Sequence, residues 1–208
     1  RQLNWGVWTT MVVDAASISA RVRAVINEPF YTIDGVVATP LEYSESLSNL
    51  SGCHLYLKCE NLQTTGSFKI RGATSAILNL CAGDRRKGVI TASSGNHGAA
   101  TAMAAQAQGI PVSIYVPSSI SSVKEEKITS LGARLIKVDG PGENAEREAA
   151  RVARDQGLAY ISPYNDVDVI AGQGTIAEEI QRELPGGDAV FVSVGGGGLI
   201  SGIGVHLK

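Results

Sequence analysis

From Cys53 onward, short apolar or β-branched runs alternate with longer segments whose apolar residues recur at helical spacing. The pattern predicts strands over His54–Glu60, Gly88–Ala92, Val112–Val116, Arg134–Val138, Leu158–Ile161 and Ala189–Val194. Between them it predicts helices over Ser67–Leu80, Asn96–Gln108, Val123–Leu131, Glu143–Gln156 and Ile170–Leu184, with a last helix opening at Leu199. Strand and helix in regular turn imply right-handed crossovers and a doubly wound, mostly parallel α/β architecture. The stretch 27–40 is less regular, and Thr39-Pro40-Leu41 reads as the opening of the main domain, preceded by a helix over about Ala15–Val25 that packs on the outside. The expected division is a large domain of residues 1–87 and 166–208 and a small domain of residues 88–165.

Composition narrows the class without naming a chemistry. With 208 residues, 44% hydrophobic and 18% charged, the chain can build a substantial core. A formal net charge of −2 offers neither a nucleic-acid surface nor a basic membrane-binding face. No apolar run is long enough to span a bilayer, and the opening residues do not read as a secretory signal. Cys53, Cys59 and Cys81 are odd in number and lack zinc spacing, so they read as thiols of a reducing, cytoplasmic compartment, with no metal ligand set. The charge runs Asp84–Lys87 and Lys124–Lys127 read as solvated surface. The chain opens on Arg1, with Met11 a candidate start, so residues 1–10 are expected to be foreign to the native protein.

Three expected strand-to-helix turns carry candidate chemistry. Ser67-Phe68-Lys69-Ile70-Arg71-Gly72-Ala73 places a lysine on a turn after the run 55–62. A partly shielded lysine loses its proton cheaply and attacks a carbonyl, the requirement for a Schiff-base lysine; taken alone, the reading as a surface residue in the first turn of a helix would win. Thr91-Ala92-Ser93-Ser94-Gly95-Asn96-His97-Gly98 sets backbone N–H groups, two hydroxyls and an amide at a helix N-terminus, which suits a carboxylate and a phenolate oxygen. An ordinary N-cap with a turn glycine is the competing reading. Gly195-Gly196-Gly197-Gly198 joins an apolar run to a helix, where several N–H groups can face one phosphate. It fits neither the dinucleotide fingerprint nor an ATP P-loop. A reactive lysine, an anion-binding Ser/Asn turn and a phosphate cradle together describe one ligand, pyridoxal 5′-phosphate.

Lys58-Cys59-Glu60-Asn61-Leu62-Gln63, Thr65–Ala73, Ala92–Gly98, Ile170–Thr175 (IAGQGT) and Gly195–Gly198 together strongly resemble the fold-type II pyridoxal-phosphate enzymes, in their order and spacing. Within them the chain is similar to the serine/threonine dehydratase and serine racemase branch, from about residue 20 to its end. The resemblance implies a tryptophan synthase β-like fold. It implies that Lys69 bonds the cofactor and then removes the substrate α-proton, that Phe68 lies beside the pyridine ring, and that Asn96 bonds the 3′-oxygen. Gly195, Gly196, Gly197 and Gly198 would hold the phosphate; Ser93, Asn96 and His97 would surround the substrate carboxylate. The implied reaction is β-elimination from L-threonine or L-serine to a 2-oxo acid and ammonia.

Ser94 opens the alternative. In the family's racemases a serine here delivers a proton to the face opposite the lysine, so Lys69 and Ser94 would make a two-base pair; the plainer reading is that Ser94 caps the following helix. The family's large domain continues past the glycine turn, so the chain is expected to be a fragment, incomplete at its C-terminal side. The groups facing the pyridine nitrogen, and any divalent-cation ligands of racemase-like members, would then lie outside it. A non-catalytic module that keeps the scaffold is the competing expectation. The implied partners are a small hydroxy amino acid and, at full length, further copies of the same chain.

Overall fold

The computed structural model describes residues 14–27, 29–32 and 35–208; the question of residues 1–10 lies outside them. Its centre is a four-stranded parallel sheet of β3 (Val89–Ala92), β4 (Val112–Pro117), β5 (Arg134–Val138) and β6 (Ala159–Tyr160), in the order β5-β4-β3-β6. The connections are helices: α5 (Asn96–Ala107) from β3 to β4, α6 (Ser122–Thr129) from β4 to β5, and α7 (Gly142–Gln156) from β5 to β6. Ile114 and Val116 of β4 and Val89 of β3 face the alanine-rich side of α5 and Ile128 of α6. Ile90, Ala92 and Tyr115 face the other way, onto Ala145, Ala149 and Ala153 of α7. The alternation of sides along each strand is what lets one short sheet bury both faces.

Strand order reverses at β3: the chain steps outward through β4 and β5, then returns to place β6 on the other side of β3. In open α/β sheets the crevice beyond the strand C-termini at such a switch point is where ligands bind. Here the two segments leaving that point are Ser93–Gly95 and the stretch 161–165.

Against α5 lies a helical layer of α1 (Ala15–Asn27), α3 (Lys69–Leu78), α8 (Val167–Glu183) and α9 (Gly198–Leu207). The IAGQGT motif explains how they close up. A Cβ on Gly172 would fall 2.4 Å from the carbonyl oxygen of Arg71 and 2.7 Å from the Cα of Gly72, so α8 and α3 cross backbone to backbone. Two residues on, Gly174 meets Gly202 of α9 on the opposite side. The helix α1 lies on this layer by one face, as a helix packed on the outside does: Ile18 and Val22 pack with Ala171, while Ala16, Ala20 and Ala24 are exposed.

The structure corrects the sequence reading at four places. His54–Glu60 yields only β2 (Tyr56–Lys58), paired antiparallel with β1 (Leu41–Tyr43) in a two-stranded ribbon, because α2 (Glu45–Ser51) turns the chain straight back. Neither α2 nor α4 (Ala82–Lys87) was anticipated, since both are short, polar and without an apolar stripe. The Asp84–Lys87 run is not all solvated surface: Arg85 donates to the carbonyls of Leu78 and Leu80, at 2.6 and 3.1 Å, and closes the end of α3. The expected strand Ala189–Val194 is in no ladder among the described residues, and Phe191 is 96% exposed. An apolar run becomes a strand only where a neighbour takes its hydrogen bonds.

Candidate active site

Lys69 is the first residue of α3 and is half-buried. Its Nζ donates to the carbonyl of Pro163 at 2.7 Å and lies 5.3 Å from the centre of the Phe68 ring, which leans on Ile176, Ala177 and Ile203. Burial pushes the Lys69 pKa below the usual lysine range, the direction a nucleophilic amine requires.

The start of α3 is tied down by an ionic cluster that sequence reasoning missed. Arg71, two residues on, is fully buried and grips two carboxylates at once. Its Nε and Nη2 reach both oxygens of Glu60 at 2.8 Å, and its Nη1 and Nη2 reach both oxygens of Glu179 at 2.6 and 2.8 Å. Thr175 Oγ1 and the Val37 carbonyl take further guanidinium protons. Lys58 bonds Glu179 at 2.9 Å, Glu183 at 2.8 Å and the Thr39 carbonyl at 2.6 Å, and the Tyr31 hydroxyl closes on Glu179. Burial alone would raise the Glu179 carboxyl, but hydrogen bonds and charge from Arg71 win and hold it below the usual carboxylate range. Lys58 and Glu60, noticed only as part of a recognisable string, are thus the posts to which the start of α3 is tied.

The Ser93–His97 turn leaves the C-terminal end of β3. Ser93 Oγ accepts from the Gly95 N–H at 3.2 Å, and α5 begins behind Gly95 with no side-chain cap, so Ser94 is not the cap. Ser94 is half-buried and Asn96 exposed at the head of the helix. Beside the turn opens a cleft of about 310 Å³, walled by Tyr115, Pro117 and, from α7, Glu143 and Glu146; Lys69 and the glycine turn do not line it.

His97 is 2% exposed, with Nε2 at 3.3 Å from the Ile161 carbonyl and 3.4 Å from Thr101 Oγ1. Since a carbonyl only accepts, Nε2 carries the proton and Nδ1 is left as a bare acceptor, buried with no partner among the described residues. Burial, and then the charge of Lys69, push its pKa down to about 4.

The Gly195–Gly198 turn enters α9 with Gly197 at φ 90°. A Cβ on Gly195 or Gly197 would meet nothing within 4 Å, whereas one on Gly196 would sit 2.4 Å from the Tyr164 ring. The turn is therefore open on one side and floored on the other, and a phosphate fits its open side beside the helix N-terminus.

What joins the three turns is the stretch 161–165, of which the sequence analysis singled out only Ile161, as the end of a strand. Its Ile161 carbonyl receives His97 and the Thr91 hydroxyl (2.7 Å), its Pro163 carbonyl receives Lys69, and its Tyr164 ring underlies Gly196. Ser162, Pro163 and Asn165 between a strand and a helix were the available signal. Among the described residues no group of three or more His, Cys, Asp or Glu could hold a metal ion, and no helix is long and apolar enough to cross a membrane.

The chain is similar to known proteins in sequence and in fold. The L-threonine ammonia-lyase of Thermotoga maritima is 46% identical over 184 residues, 88% of this chain and 46% of that protein. The serine racemase of Arabidopsis thaliana is 44% identical over 170 residues, 82% of this chain and 51% of that one. The processed form of threonine deaminase isoform 2 from Solanum lycopersicum superposes with a TM-score of 0.86 at 37% identity, over 93% of this chain and 53% of that one. The chain spans about half the length of the curated relatives it matches. The family described as pyridoxal-phosphate dependent enzyme matches residues 33–208, and with a lysine, a serine-asparagine turn and an open glycine turn drawn together by one segment, the chain belongs to that family.

Proposed function

We propose that this chain carries the lysine-bearing part of an ammonia-lyase that converts L-threonine or L-serine to a 2-oxo acid and ammonia. The observation that carries the reading is Lys69: half-buried, lowered in pKa, and bonded to the residue next to the one that floors the glycine turn. In the proposed site the N–H groups of Gly195–Gly198 would hold the cofactor phosphate, Phe68 would flank its ring, and Asn96 would donate to its 3′-oxygen. Bound there, pyridoxal phosphate supplies an electron sink for the substrate α-carbon. Ser93, Asn96 and the N–H groups at the head of α5 orient the substrate carboxylate, with His97 supporting the turn from beneath as a neutral ring. Lys69 Nζ takes the α-proton, the β-hydroxyl leaves as water, and the released enamine hydrolyses to oxo acid and ammonia.

A second reading rests on Ser94. It caps nothing, is half-buried, and borders the cleft rather than Lys69, a position suited to serving the opposite face of the substrate. Lys69 and Ser94 would then exchange the α-proton across that carbon and racemise serine. Assay of the intact protein with L-serine and L-threonine, scoring oxo acid and D-serine, tests both. Ser94→Ala is expected to abolish D-serine formation and spare oxo-acid release; persisting D-serine removes Ser94 from the mechanism, and no oxo acid from either substrate removes the lyase reading.

The division into a small body (88–165) and a large one (1–87 and 166–208), a cytoplasmic location and a homo-oligomeric full-length enzyme belong to the same proposal. Three free thiols are in keeping with it.

A further inference from the structure

We propose that Tyr164 is a positioning residue for phosphate binding, a strut that ties the Gly195–Gly198 turn to α7 through Glu146. The inference rests on the reading that this turn holds a phosphate.

The floor of the turn is Tyr164 in two senses. A Cβ on Gly196 would lie 2.4 Å from Tyr164 Cγ and 2.7 Å from its Cδ1, so the bare Cα of Gly196 rests on the ring. A Cβ on Gly198 would lie 2.9 Å from the Tyr164 carbonyl oxygen and 3.0 Å from its Cα, so the second contact is with the backbone of the same residue. Gly195 and Gly197 have open space, which leaves their side of the turn free for a ligand. A shift of Tyr164 therefore moves the surface on which the phosphate-facing N–H groups stand.

The other end of Tyr164 is anchored across the molecule. Its hydroxyl donates to Glu146 Oε1 at 2.8 Å, from the stretch after β6 to the second turn of α7. That bond, and then burial, hold the hydroxyl above its ordinary pKa, so it stays a donor at neutral pH. Glu146 also walls the cleft beside Ser93–Gly95. One residue back, the Pro163 carbonyl holds Lys69 Nζ. The strut thus runs from the wall of the cleft, past the lysine, to the phosphate turn.

The test is the phosphate increment, the ratio of the dissociation constants of pyridoxal and pyridoxal phosphate for the intact protein, measured by absorbance titration. Tyr164→Phe keeps the ring on Gly196 and removes the anchor. Loss of a hydrogen bond to a charged acceptor at a half-buried site is expected to shrink the increment roughly threefold to tenfold and to leave pyridoxal binding within about twofold. Glu146→Ala should match it, the double variant should be no worse than either single one, and Glu146→Gln, which keeps an acceptor oxygen, should retain most of the increment. An unchanged increment in Tyr164→Phe, equal weakening of both ligands, or additive losses in the double variant would overturn the strut. If the unmodified protein binds pyridoxal as tightly as its phosphate, the phosphate reading of the glycine turn falls, and the strut with it.

Discussion

Replacing Arg71 with methionine should destabilise the protein by about 3–5 kcal/mol, the usual cost of removing one partner from a buried ion pair. Methionine matches much of the volume, so the effect is electrostatic rather than a cavity. The variant strips from Glu60 two hydrogen bonds and from Glu179 two more. The two carboxylates are not left equally exposed to the loss. Glu179, whose side chain is 5% exposed, keeps Lys58 and Tyr31, while Glu60 keeps the hydroxyl of Thr39 at 2.5 Å and Gln63 at 3.3 Å. Remaining partners place the expectation toward the lower end of that range. With a urea dependence of about 2 kcal/mol per molar, the midpoint should fall by roughly 1.5–2 M. Far-UV circular dichroism against urea at pH 7 measures it. Arg71→Lys, which keeps the charge but cannot fork onto both carboxylates, should fall between the two. A midpoint for Arg71→Met within about 0.5 M of the native protein would refute the claim that this cluster fixes the start of α3.

Other expectations follow from the same structure. Gly172→Ala should cost about 1–3 kcal/mol, because its Cβ meets backbone at 2.4 Å, whereas Gly204→Ala in the interior of α9, with nothing within 4 Å, should stabilise by about 0.5–1 kcal/mol; thermal melts of the pair separate close approach from helix propensity. His97 is held neutral in the fold with a pKa pushed down to about 4, below its unfolded value of about 6.5. Its contribution is therefore complete above about pH 6.5 and is lost as pH falls toward 4, with a slope of up to about 1.4 kcal/mol per pH unit. Urea titrations at pH 7 and pH 5 should show this slope in the native protein and lose it in His97→Gln; an equal slope in both would contradict it.

How much of this was legible in the chain depends on how local each signal is. The Lys69 turn, the Ser93–His97 turn and the Gly195–Gly198 turn each carry their chemistry within a few consecutive residues, and all three sit at helix starts as read. The four strands of the central sheet announced themselves by apolar runs that have neighbours on hand. Ala189–Val194 carries the same apolar signal, but a strand is a relation between two segments, and one segment cannot show that its partner exists. The ribbon of Leu41–Tyr43 was hidden because three residues are too few for periodicity. Arg71 was passed over because an arginine in a helix ordinarily faces water; its partners stand 11 residues before and 108 residues after it. Its setting between Ile70 and the small pair Gly72-Ala73 was the one local hint that it lies on a buried face. The stretch 161–165 had no chemistry of its own to notice, since its work is done by two carbonyl groups and a ring, and carbonyls are invisible in a sequence.

The central claim is that Lys69 is the residue that captures pyridoxal phosphate. Borohydride reduction of the intact protein after incubation with pyridoxal phosphate, followed by peptide mass mapping, tests it directly, because reduction fixes the cofactor to whichever amine holds its aldehyde. The account predicts a single pyridoxyl group on the peptide containing Lys69, and loss of both that label and the visible absorption band in Lys69→Ala. A label on another lysine, or a visible band that survives Lys69→Ala, would contradict it.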